Sequence, residues 1–175
     1  MKDVMVDIET LGAGLNPVIV QIGACYFDRK TGYIGEKFKV NIDPVDAQRM
    51  GGILDADTVT WWLNQSREAQ KSITADPKVS LVGALQAFQE FVKSADNIWS
   101  HATFDFVILN QVMRNVNVGK LPFRKARDIR TLVELSNMDP TGLSRAGTHH
   151  DALDDCKHQV KYCYYAFQEL KNASG

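Results

Sequence analysis

Three observations in this 175-residue chain predict an α/β domain with a mixed central β-sheet. Three apolar, β-branched runs come first, joined by short links, which is the pattern of an antiparallel meander. Helical periodicity then replaces the strand alternation. Short buried strands return between the later helices, which places helices around a sheet that is partly parallel.

Each element has its own signal. Residues 3–8 read as the first strand, and residues 18–27, rich in Val, Ile and aromatics, as the second. Residues 28–32 are polar and end in Gly32, so they form a turn. A third strand covers about 36–42. Residues 57–64 and 66–74 are short helices. Residues 80–93 form a longer one, with Leu81, Leu85, Phe88 and Val92 on one face. Residues 97–100 read as a short buried strand and 104–115 as a helix. Residues 128–135 start as a strand and end as a helix. Residues 138–149, with Pro140, Gly142 and Gly147, form a loop. A last helix runs over 151–170, with Thr148 as its cap. No repeat or low-complexity stretch divides the chain, so residues 1–175 are expected to be a single domain.

Composition excludes several classes. Hydrophobic residues make up 45% of the chain, ordinary for a globular protein. Cys25, Cys156 and Cys163 are odd in number and form no CxxC pair, which fits a reducing cytoplasm better than a disulfide scaffold or a zinc site. No stretch reads as a signal peptide or a membrane span. The formal net charge is −1, so there is no global basic surface for gripping a long duplex.

Asp7 and Glu9 are the most informative pair. On a strand they point to one face, while Val6 and Ile8 point to the other. Two like charges ~4 Å apart at an effective dielectric near 20 repel by about 4 kcal/mol. A cation between them removes that cost. Two further acidic segments carry weight. Asp105 follows a short strand and opens a helix, and Thr148-His149-His150-Asp151-Ala152-Leu153-Asp154-Asp155 combines histidines with acids. Helix spacing leaves the members of that last cluster open. Asp151 and Asp155 share a face, whereas His150 and Asp155 meet only if His150 lies before the helix.

In order, Asp7-x-Glu9, Asp105 and His150-x-Ala152-x-x-Asp155 resemble the DEDDh branch of the DnaQ-like 3′–5′ exonucleases. The match spans nearly the whole chain. It is similar above all to compact stand-alone phage and bacterial members, exoribonuclease-like ones included, because Trp61-Trp62 follows the third strand. The resemblance implies a ribonuclease H-like fold: a mixed central β-sheet with three N-terminal antiparallel strands, flanked by α-helices. It implies that Asp7, Glu9, Asp105 and Asp155 hold two divalent ions, Mg²⁺ or Mn²⁺, and that His150 is the general base. It selects Asp155 over Asp151 and Asp154. It places Thr10, Leu11 and Gly12 at the substrate's terminal nucleotide. Phe104 is an aromatic that can stack on a base, and Trp62 is expected to border the nucleotide site. The resemblance implies single-stranded DNA or RNA 3′ ends as partners, nucleoside 5′-monophosphates as products, and a homodimer. Many relatives carry Asn after the second-motif His, where this chain has Ala102.

The chemistry is consistent with those residue types. Hard carboxylates suit Mg²⁺ or Mn²⁺. A two-ion site stabilises both the attacking and the leaving oxygen at phosphorus, and a histidine with a pKa near ~6.5 suits proton removal. His101, His149, His158 and the cysteines read as structural, and Asp128 with Arg130 as an ion pair near the site. A ribonuclease H-type endonuclease and a non-catalytic nucleic-acid-binding domain are the rival readings.

Overall fold

The computed structural model describes residues 2–173. Three strands open the chain: β1 (Asp3–Thr10), β2 (Ile19–Phe27) and β3 (Ile34–Ile42). They pair antiparallel in sequence order, as the short links predict. Next come α1 (Pro44–Arg49), α2 (Ala56–Leu63), α3 (Arg67–Thr74), a two-residue β4 (Lys78–Val79) and α4 (Leu81–Val92). Then follow β5 (Asn97–Ser100), α5 (Asp105–Asn115), β6 (Ala126–Asp128), α6 (Ile129–Ser136) and α7 (Ala152–Ala173). The sheet order is β4-β3-β2-β1-β5-β6. β5 runs parallel to β1 and to β6, and β4 runs parallel to β3, so the sheet is mixed.

Alternation along β1 sorts the core into two layers. Val4, Val6 and Ile8 face Leu85 and Phe88 of α4 and Ile108, Leu109 and Met113 of α5. Met5 faces the opposite way, with Cys25, Trp99, Ile129 and Leu132, and is covered by Cys156, Val160, Cys163 and Ala166 of α7. Asp7 and Glu9 continue the Met5 face and therefore lie on the side that α7 covers.

Several boundaries differ from the sequence reading. α1 and β4 carry no long periodic pattern. α1 exists because Asp43 accepts from the Val45 amide and Pro44 starts the turn. The third strand begins at Ile34, because pairing with Phe27 extends it across the turn. Thr148 does not cap α7: its amide donates to Asp154 Oδ2. Asp151 Oδ1 instead accepts from the Asp154 amide, and the Gln21 side chain accepts from the Ala152 amide. A buried glutamine from the sheet does what a local cap does elsewhere.

Candidate active site

β1 delivers the first two acids at the C-terminal ends of the parallel strands, and both are buried. Asp7 stands opposite Gly23, and Glu9 opposite Gln21. The register shifts directly after Glu9, a bulge past which Thr10 still pairs with Ile19. A side chain at Gly23 would meet the Ala152 backbone at 2.3 Å. Glycine therefore lets the start of α7 lie directly on the sheet beside Asp7.

Asp105, the first residue of α5, is 2% exposed. Its oxygens accept from the backbone amides of Ile8 (3.3 Å) and His101 (2.9 Å), which ties the end of β1 to the loop after β5. Asp128 caps α6 through Thr131 and also accepts from the Ala102 amide. Its carboxylate thus orders the second-motif loop, rather than serving chiefly as the expected partner of Arg130.

Among the described residues, no Lys or Arg forms an ion pair with Asp7, Glu9 or Asp105. Burial pushes all three carboxyls up. Asp7 rises well above the usual carboxylate range, with repulsion from Asp105 and Glu9 adding to the effect of burial. Glu9 rises to about 8, through burial first and then Asp105 and Asp151. Asp105 rises to about 7, burial outweighing its amide hydrogen bonds.

In the last segment Asp151, Asp154 and Asp155 face different partners. Asp151 turns away, to an ion pair with Lys39 and the Ser72 hydroxyl. Asp154 pairs with Lys157 (2.7 Å) and holds the Thr148 amide. Asp155 lines the cleft with Asp7 and Glu9, and one oxygen from each of these three lies within 4.8 Å of the others. His150 sits in the loop, with φ +63°, and meets Asp155 without a helical constraint. Its ring packs edge-on against Trp61 and Trp62 and stacks on His149. Burial, then His149 and Arg145, lowers its pKa to about 4, so the ring is neutral at pH 7.

The cleft measures about 280 Å³ and is also lined by His101, Phe104, Arg145, His149, His158, Gln159 and Tyr162. His101, read as structural, lies beside Asp7 and Asp105, and burial lowers its pKa to about 4. Sequence reasoning missed two members. Gln159 Nε2 donates to Asp7 Oδ1 at 2.7 Å and orients that carboxylate. Its position four residues after Asp155, on the same helix face, was the available signal. Arg145 pairs with Asp155. It lies in a loop without periodicity, so nothing in the sequence pointed to it.

A second, more apolar recess adjoins the first through Ile8, Glu9 and Phe104. Thr10, Gly12, Trp61 and Trp62 also line it. Trp62 is buried at 4% exposure and its indole N–H donates to the Thr10 carbonyl. Trp61 is 43% exposed and supplies the open aromatic face. Gly12 packs against the Ile53 carbonyl, where a Cβ would come to 2.8 Å. Leu11 packs on the core, and its backbone bonds to Val18 and Asp55.

These oxygens can hold divalent ions. They are hard donors and close together, and among the described residues none of Asp7, Glu9 and Asp105 has a direct ion pair to a Lys or Arg. The chain is similar to known nucleases. A family model described as the 3′-5′ exoribonuclease Rv2179c-like domain matches residues 2–167. An exodeoxyribonuclease of Enterobacteria phage T4 is 25% identical over an aligned length of 206 residues, covering 96% of this chain and 90% of the phage protein. The nuclease domain of 3′hExo, a DEDDh family member solved with rAMP, superposes with a TM-score of 0.65 at 14% identity, over 96% of this chain and 92% of that one. E. coli exonuclease I, solved with a dT13 oligonucleotide, gives a TM-score of 0.67 at 13% identity, over 98% of this chain and 42% of that one. The fold is that of the ribonuclease H-like DEDDh nucleases. The chain belongs to the 3′-5′ exoribonuclease Rv2179c-like domain family and is a 3′–5′ exonuclease.

Proposed function

We propose that this exonuclease shortens single-stranded DNA or RNA from its 3′ end, using two Mg²⁺ or Mn²⁺ ions, and releases nucleoside 5′-monophosphates. Asp7, Glu9, Asp105 and Asp155 are the metal-holding residues in this reading. The observation that carries it is the approach of Asp7, Glu9 and Asp155 within 4.8 Å beside a neutral His150. When bound, the ions supply positive charge to both the entering and the departing oxygen.

The protein's own groups do the rest. Gln159 fixes the Asp7 carboxylate, and the Ile8 and His101 amides fix Asp105. His150 accepts the proton of the attacking water on its ring nitrogen, and its position in a loop lets it adjust to substrate. Thr10, Leu11 and Gly12 form the floor for the terminal nucleotide. Phe104 and the Trp61–Trp62 pair, with Trp62 behind, offer aromatic faces for a base. The whole of residues 1–175 acts as one domain, and two copies associate as a homodimer. The buried free thiols of Cys25, Cys156 and Cys163 suit a reducing cytoplasm. No helix among the described residues is long and apolar enough to cross a membrane.

The test is labelled single-stranded DNA and RNA, each with Mg²⁺ or Mn²⁺, resolved by product length. A ladder of single-nucleotide steps from the 3′ end, abolished by EDTA, is the expected result. Undiminished activity in EDTA would sink the metal assignment.

A further inference from the structure

The loop before α7 carries a cation into the acidic cleft. Arg145 Nη2 pairs with Asp155 Oδ1, and three-quarters of the Arg145 side chain is buried. The loop is clipped to α7 on both sides of this residue. Lys161 Nζ donates to the Ser144 carbonyl at 2.8 Å, and the Thr148 amide donates to Asp154 at 2.9 Å. Gly147 adopts φ +85°, where a Cβ would strike Asp154, so the chain passes tightly over the helix there. The guanidinium is therefore delivered by built geometry.

The two buried acids that do pair with a cation, Asp3 and Asp151, are held differently. Asp3 accepts from Arg29, Asn97 and Trp99. Asp151 accepts from Lys39 and Ser72. Those carboxylates are enclosed by several donors. The Asp155 carboxylate has Arg145 alone among the described residues, and none of Arg145 Nε, Arg145 Nη2 and Asp155 Oδ1 has a hydrogen-bond partner. The pair is held by charge more than by a hydrogen-bond network, which makes it exchangeable. An arginine cannot shed its charge to make way. It has to move.

We propose that Arg145 is an internal competitor for Asp155, swinging off that carboxylate when a divalent ion is held there, and so sets the metal affinity of the cleft. This rests on Asp155 being a metal ligand, as proposed above. Metal loading then also loosens the loop that leads into His149 and His150, so the base is repositioned in the same step.

Calorimetry with Mn²⁺ alone, without substrate, tests this. Arg145→Met keeps the length and removes the charge. It should bind Mn²⁺ roughly five- to tenfold more tightly, on the scale of one partly buried charge pair. Arg145→Lys should stay near the parent. In an Asp155→Asn background, Arg145→Met should give a much smaller gain, left only by its weaker field at Asp7 and Glu9. Hydrogen exchange on the unaltered protein gives a second readout independent of any variant. Mn²⁺ should speed exchange at Thr148 and its loop while slowing it in β1. Unchanged or weaker Mn²⁺ binding by Arg145→Met, or slower loop exchange with Mn²⁺, overturns the proposal. A parent protein that binds no Mn²⁺ overturns the metal reading itself, and this inference with it.

Discussion

Asp3 and Asp7 lie on the same face of one strand and are both buried, yet only Asp3 is neutralised by an arginine. That difference separates a structural acid from a candidate catalytic one. Asp7→Asn should lower the rate at least ~100-fold, by removing transition-state charge stabilisation. It should also raise the melting temperature of the metal-free protein, because it relieves repulsion with Glu9 and Asp105. The same repulsion gives a pH dependence. Glu9, at about 8, and Asp105, at about 7, bind protons more tightly folded than unfolded. Their contribution to stability is full below the ordinary carboxylate range and is lost as pH rises through the folded values. The lowered histidines act in the opposite sense, but theirs is lost only as pH falls below ~6.5. Metal-free protein should therefore melt lower at about pH 8.5 than at about pH 7, led by Glu9, and Mn²⁺ should erase the difference. For His150→Ala, kinetics and calorimetry should diverge. The rate should fall ~10²–10⁴-fold while Mn²⁺ affinity stays close to normal. His149→Ala should keep most activity, and the reverse pattern would exchange the roles of the two histidines.

At the scale of elements, α7 is the part that assembles the site. It brings Asp155 and Gln159 to β1, and its start rests on Gly23 with its first amide held by Gln21. The glycine is required by space, not by backbone freedom: a methyl group at position 23 has only helix backbone to enter. Gly23→Ala should cost about 1–3 kcal/mol in a denaturant melt, as overpacking does elsewhere. Activity at a temperature where the variant is still folded should fall as well, because α7 shifts against Asp7. A variant that unfolds earlier but keeps full turnover when folded would mean that the helix position tolerates the shift.

At the scale of the molecule, a net charge of −1 argues for a grip on the last few nucleotides rather than on a long duplex. The cleft and its apolar neighbour, together a few hundred cubic ångströms, match that limited reach. A blunt duplex should be degraded more slowly than a single strand, since its terminal pair must open first. A bulky group on the 3′ end should stop the reaction, and the same group on the 5′ end should not. Cleavage of a closed circle would exclude the exonuclease reading of the cleft.

The strand-then-helix order, the antiparallel opening of the sheet and the shared face of Asp7 and Glu9 were legible in the chain. Each of these follows from local periodicity, and local periodicity is visible in one dimension. Helix spacing left Asp151, Asp154 and Asp155 open, and their directions became visible only in three dimensions, where Asp155 lines the cleft. Lys39, Ser72 and Lys157 claim the other two. α1 and β4 were illegible because a short element draws its stability from a cap or a neighbouring strand, not from a pattern of its own. Arg145 was illegible for a related reason. A loop residue has no period, and its ion pair with Asp155 exists only once Ser144 and Thr148 are clipped to α7.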